Sequence, residues 1–222
     1  MDNFENFDKK IKSVMNFYAI THKLKNLLRS GPINWKFDAE RFESVAEHIY
    51  GTQMLSFALN SQFNLGLNIE KVCFMLAFHE LGETIIGDIS MVEINSHKDK
   101  HKMELLAIEN LVKGLNEKNK IISLFKEFEA RETKEAKFAY MVDKLECELQ
   151  CKFYDELNQV DFSKPRDGKY EQIRQEALQN GATTISQMWI SWDKMQGYYD
   201  ELFNKLADYI ISNNIFENYK SF

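Results

Sequence analysis

Residues 74–88 read Phe74-Met75-Leu76-Ala77-Phe78-His79-Glu80-Leu81-Gly82-Glu83-Thr84-Ile85-Ile86-Gly87-Asp88. Val72, Met75, Leu76 and His79 recur at three- and four-residue spacing, which predicts a buried helix. On such a helix Glu83 lies one turn beyond both His79 and Glu80, so an imidazole and two carboxylates converge. Gly87 ends the pattern and Asp88 follows in a turn. Ionisable groups on an apolar helix are costly to bury unless they are paired or bind a metal. The cluster is therefore a candidate metal site. Taken alone, its default reading is a satisfied core histidine beside a surface glutamate.

The rest of the chain sets the frame. With 222 residues, 44% hydrophobic and 28% charged, it has the profile of a globular protein able to bury a sizeable core. Only two prolines and nine glycines punctuate it, so long elements and an all-α fold are expected. Net charge is −6 and no Lys/Arg stripe marks a groove for a nucleic acid polymer. No apolar run reaches membrane-spanning length, and the start Met1-Asp2-Asn3-Phe4-Glu5 is unlike a signal peptide. The three cysteines, Cys73, Cys147 and Cys151, fall within helical patterns and read as core thiols, and a reduced, cytoplasmic protein is the simplest expectation.

In chain order, Phe4, Phe7, Ile11, Val14, Tyr18 and Leu24 predict one amphipathic helix over residues 4–28, ended by Ser30-Gly31-Pro32. Residues 33–40 are expected to be a loop carrying Trp35, with Arg29 at its border. Ser44-Val45-Ala46-Glu47 is a capping box, and the helix it starts places Val45, His48, Thr52, Leu55 and Leu59 on one face. His48 should face inward from the first turn. Asn68 is expected to cap the next helix. His97 and His101 stand among lysines and read as a solvated face. Met103, Leu106, Ile108 and Leu111 predict a helix ending near Gly114. Ile121, Leu124, Phe125 and Phe128 predict a shorter one.

Residues 134–157 form a long amphipathic pattern in which Asp143 shares the apolar side with Ala136, Ala139, Tyr140 and Cys147. An aspartate there needs a partner. After the loop 163–168, helices are expected over 170–178 and 184–211, the latter with an aromatic stripe suited to a core or a dimer surface.

Three inward-facing anomalies thus lie on three different predicted helices: His48, the His79-Glu80 pair and Asp143. One divalent ion at their meeting point would account for all of them, and imidazoles with carboxylates suit a borderline or hard metal.

This order resembles the HD-domain phosphohydrolases, with wording most similar to their 5′-deoxynucleotidase branch. The matching stretches are Arg41-Phe42-Glu43-Ser44-Val45-Ala46-Glu47-His48, Phe78-His79-Glu80-Leu81-Gly82-Glu83 with Gly87-Asp88-Ile89, and Glu135-Ala136-Lys137-Phe138 running into Val142-Asp143-Lys144. They cover most of residues 24–158. The resemblance implies a helical core over residues 1–160, with residues 161–222 as a C-terminal helical extension packed on the same domain.

It further implies that His48, His79, Glu80 and Asp143 hold one divalent metal, whether Mn, Co, Mg, Fe, Ni or Zn. Glu83 and Asp88 would handle water and leaving group. Arg29, Arg41 and Trp35 are candidates for contacts with phosphate, sugar or base. The implied substrate is a small phosphorylated molecule, a nucleoside monophosphate foremost. One departure stands out: the family's pair is His-Asp, and here it is His79-Glu80. A phosphodiesterase on another ester, or a nucleotide-binding protein whose site is altered by Glu80, are the competing readings. Long apolar helices at both ends suggest a homodimer.

Overall fold

Ser44 opens the helix that carries the first histidine. Its side chain accepts from the Glu47 backbone N–H at 3.3 Å, while the Glu47 carboxylate accepts from the Ser44 N–H at 2.8 Å, so the expected capping box is formed. In the computed structural model, residues 2–93, 99–217 and 219 are described, and no strand occurs among them. The fold is all-α.

The helices run α1 (Asp2–Thr21), α2 (Ser30–Asn34), α3 (Val45–Phe63), α4 (Ile69–Phe78), α5 (Glu83–Ile86), α6 (Lys100–Val112), α7 (Lys118–Ala130), α8 (Lys134–Glu156), α9 (Gly168–Gln179), α10 (Ile185–Met195) and α11 (Glu201–Ser212). A 3-10 turn over His22–Lys25 follows α1.

The chain forms two compact units. The first comprises residues 1–29 and 43–140, and the second residues 30–42 and 141–222. In the first unit α3 packs on α4, α4 on α7, and α6 on both α5 and α7. Leu24, Val45, Leu81, Ile108, Val112, Ile121 and Phe125 form its core. The extended segment ahead of α3 is tied to the end of the 3-10 region by Arg29 N–H donating to Glu43 O and Val45 N–H donating to Leu27 O. In the second unit Trp35, Phe37, Tyr154, Phe162, Ile185 and Met188 form the core. Trp35 lies edge-on to Tyr170 and Trp189, and α10 packs on α11.

Several boundaries differ from the sequence reading. The first helix stops at Thr21 and tightens into the 3-10 turn instead of running to Leu28. Its predicted inner face is exposed at Phe7, Ile11, Val14 and Tyr18, while Leu24 is buried; the side chain of Phe4 lies outside the described residues. Ser30-Gly31-Pro32 begins the short α2 rather than a loop, because a proline in a first turn gives up only an N–H that has no helical partner. The expected 184–211 helix is two. Gly197 adopts φ +71°, a left-handed conformation open to glycine, and Asp200 caps α11 by accepting from the Phe203 N–H. In α6 the buried face is Glu104, Ala107, Ile108 and Val112, leaving Met103 and Leu106 exposed. None of the three cysteines is in a disulfide, and all three are half-buried.

Candidate metal and phosphate site

The stretch 74–88 is not one helix. Helix α4 ends at Phe78, residues 79–82 form a turn, and α5 resumes at Glu83. Asn68 caps the start of α4 by accepting from the Lys71 N–H at 3.0 Å, as its sequence position suggests. Gly87, at φ +81°, closes α5 with its N–H on Glu83 O. The turn is held by its neighbour: a Cβ built on Gly82 would lie 2.9 Å from the Cα of Glu104, so only glycine lets α6 come this close.

Within the first unit the structure gathers His48 from α3, His79 at the end of α4 and Glu80 from the turn. Ligand atoms of these three residues lie within 4.8 Å of one another. His48 is 0% and His79 4% exposed, with ring centroids 5.6 Å apart. His79 Nδ1 is 2.7 Å from the Leu76 carbonyl oxygen. That oxygen only accepts, so Nδ1 carries the proton and Nε2 presents its lone pair, as a metal-ligating histidine must. Nε2 is 3.6 Å from Glu80 Oε1. The Phe128 ring stacks at a tilt 5.0 Å from His79 and borders Tyr140 of α8. Two buried imidazoles, the tautomer of His79 fixed, and an adjoining carboxylate fit a divalent ion.

Charges alternate around this set. Arg29 Nη1 lies 3.4 Å from Glu80 Oε1 and 3.2 Å from Asp88 Oδ1, clamping two of the predicted residues together. Glu83 is 2% exposed. Its pKa is pushed well above the ordinary carboxylate value, first by burial and then by Glu80 and Asp88, against the lowering fields of Arg29 and Lys100.

Two residues of α6 that the sequence reading passed over complete the group. Lys100 Nζ stands 3.4 Å from Glu104 Oε1 and 3.8 Å from Glu83 Oε1. Burial lowers the Lys100 pKa, but Glu80, Glu104 and Glu83 together outweigh it and leave the ammonium favoured. Glu104 is raised to about 7 by burial, with Lys100 opposing and Glu80 and Glu129 adding to the rise.

The other predicted residues lie in the second unit. Asp143 is buried on α8, and Arg41 is exposed in the bend before α3. Trp35, 1% exposed, packs into that unit's aromatic core. His101 is exposed and ion-paired with Glu129, consistent with a solvated face, while His97 lies outside the described residues.

The HD domain family pattern matches residues 21–186, three quarters of the chain, and the chain belongs to that family. Among curated relatives, it is 30% identical over 168 residues to 5′-deoxynucleotidase HDDC2 of Xenopus laevis, covering 72% of this chain and 81% of that one. It is 31% identical over 153 residues to 5′-deoxynucleotidase hdd1 of Schizosaccharomyces pombe, covering 66% and 74%. A solved structure described as a predicted metal-dependent phosphohydrolase, from Magnetospirillum magnetotacticum, shares the fold with TM-score 0.58 and 23% identity, over 92% of this chain and 96% of that one.

Proposed function

We propose that this protein is a metal-dependent phosphohydrolase that cleaves nucleoside 5′-monophosphates, deoxynucleotides foremost, to nucleoside and phosphate. The observation that carries the reading is the pair of buried imidazoles, His48 and His79, with Glu80 adjoining and the His79 tautomer fixed by the Leu76 carbonyl. The relatives named as 5′-deoxynucleotidases support the substrate class.

In this reading the fourth ligand is Asp143. It follows Ala136, Ala139 and Tyr140 on one face of α8, at the spacing of successive helical turns. A divalent ion, when bound, lowers the pKa of a coordinated water and neutralises phosphate oxygens. Glu83 takes a proton from the attacking water, because burial and the neighbouring Glu80 and Asp88 carboxylates raise its affinity for a proton. The water oxygen forms the new bond to phosphorus while the bond to the 5′-oxygen breaks, and that oxygen takes up a proton from Asp88, or from solvent where Asp88 contacts the ribose instead. Arg29 holds Glu80 and Asp88, and its guanidinium has five N–H donors, enough to meet a phosphate oxygen as well. Arg41 is a second candidate for the phosphate. A contact between Trp35 and sugar or base requires its ring to be uncovered from Tyr170 and Trp189. Glutamate at position 80 carries its carboxylate one methylene further from the backbone than aspartate would, and would still offer an oxygen ligand to such an ion.

The test is phosphate release from a panel of nucleoside monophosphates with Mn²⁺, Co²⁺ or Mg²⁺, with His79→Ala as control and bis(p-nitrophenyl) phosphate as the diester arm. Release from monoesters that the control abolishes supports the proposal. Activity on the diester alone favours a phosphodiesterase, and an inert protein favours a binding role. The ion's identity and a cytoplasmic location belong to the same proposal, as does a homodimer, which the exposed Phe7, Ile11, Val14 and Tyr18 of α1 favour and light scattering can reject.

A further inference from the structure

The Glu83 carboxylate is used unequally. Oε1 faces the Lys100 ammonium at 3.8 Å, whereas Oε2 is buried and makes no hydrogen bond among the described residues. Leaving a buried carboxylate oxygen without a donor is costly, so such an atom marks a place kept for something else. Lys100 is held in turn. Glu104 takes its ammonium at 3.4 Å from one helical turn further along α6, an i, i+4 pair enclosed on the side that packs against α5. The backbone is fixed as well, because Gly82 lets the Glu104 Cα sit where a side chain at position 82 would otherwise stand. Lys100, the first residue of α6, and Glu104 one turn on therefore reach Glu83 from the helix that packs against Gly82, and their side chains are themselves largely buried.

We propose that Lys100 is a positioning residue for Glu83, seated by Glu104, whose ammonium engages Oε1 and so turns Oε2 toward the reacting water. This deepens the phosphohydrolase reading and rests on it for the identity of that water. The alternative for a lysine in such a place is direct capture of the substrate phosphate. Its two carboxylate neighbours oppose that alternative, since they occupy the ammonium before any substrate arrives. Glu80, the third carboxylate near Lys100, is already clamped by Arg29. Arg29 stands within 4 Å of Glu80 and Asp88, and Lys100 within 4 Å of Glu83 and Glu104, while Glu80 also bears on Lys100 at longer range.

The experiment compares Lys100→Met, Lys100→Arg and Glu104→Gln in the full chain. Loss of the ammonium should lower kcat by roughly 10- to 100-fold on the best nucleotide while KM moves less than about 2-fold, the signature of a misplaced catalytic group. Lys100→Arg should restore most of the loss, and Glu104→Gln should fall between. A KM rise at unchanged kcat would assign Lys100 to the substrate and overturn the proposal. A readout free of turnover accompanies it: the ¹³C-carboxyl resonance of Glu83, assigned by its disappearance in Glu83→Gln. It should move in Lys100→Met and stay near its wild-type position in Lys100→Arg. A resonance indifferent to Lys100→Met refutes the pairing. If wild type cleaves no nucleotide yet the resonance moves, the substrate reading fails and the positioning pair stands.

Discussion

Replacing Gly82 with alanine isolates the packing of α6 on the turn that carries Glu80. Gly82 has φ −61° and ψ −29°, an ordinary helical conformation, so alanine meets no backbone strain. Were the site open, the substitution would stabilise by about 0.4–1 kcal/mol through the unfolded chain. It is not open. The new Cβ would lie 2.9 Å from both the Cα and the Cβ of Glu104, short of the ~3.5–4.0 Å optimum for carbon atoms. One of those atoms is backbone, so α6 itself must shift, and overpacking of this kind costs about 1–3 kcal/mol. The net expectation is a loss of roughly 0.5–2 kcal/mol, which lowers Tm by about 1–8 °C for a chain of this size. Thermal and urea unfolding of Gly82→Ala beside wild type and Gly31→Ala would measure it. Gly31 sits in α2 with no non-neighbouring atom within 4 Å of its would-be Cβ, so its alanine variant escapes overpacking and bears only the local cost of a Cβ ahead of Pro32. A Gly82→Ala protein as stable as wild type, or more so, would refute the close approach and with it the rigid seat of Lys100 and Glu104.

Ser44→Ala removes the side-chain acceptor for the Glu47 N–H and should cost about 1 kcal/mol in urea unfolding. Adding Glu47→Gln should cost less than the sum of the separate changes, because both residues act in one box; strict additivity would argue against the shared cap. In the second unit, burial raises the Asp193 pKa to about 6, with Lys144 and a hydrogen bond with the Glu148 carboxyl opposing and Asp143 adding to the rise. A carboxyl raised on folding contributes stability below its ordinary pKa of 3.8 and loses it as pH rises through about 6. Asp193→Asn in chelator-treated protein should therefore gain about 1–3 kcal/mol over wild type at pH 8, and much less at pH 4. A gain independent of pH would sink that account.

The local signals were the legible ones. Ser44 with Glu47, Asn68 and Gly87 each act within a few residues of their own position, and each marks a boundary where the pattern places it. His48 and His79 were legible as anomalies, since a polar group on an apolar face needs a reason. What stayed hidden depends on partners distant in sequence. Lys100 and Glu104 sit in a run of lysines and charged residues that reads as solvent-facing, and only the packing of α6 on α5 turns them inward. The stripe of α1 has helical periodicity, but periodicity does not say what covers a face, and Phe7, Ile11 and Tyr18 are exposed. Nor could the pattern reveal that residues 30–42 belong with the second unit, because Trp35 finds Tyr170 and Trp189 more than a hundred positions away.

That last arrangement has a consequence for the protein's birth on the ribosome. Trp35 emerges early and its packing partner Trp189 emerges roughly 150 residues later, which at ~5–20 residues per second is on the order of ten to thirty seconds. Through that interval a large indole and Phe37 have no aromatic core to enter, and they are available to chaperones or to neighbouring nascent chains. The second unit cannot close from its own end of the message. It must wait to clasp a segment that was translated first.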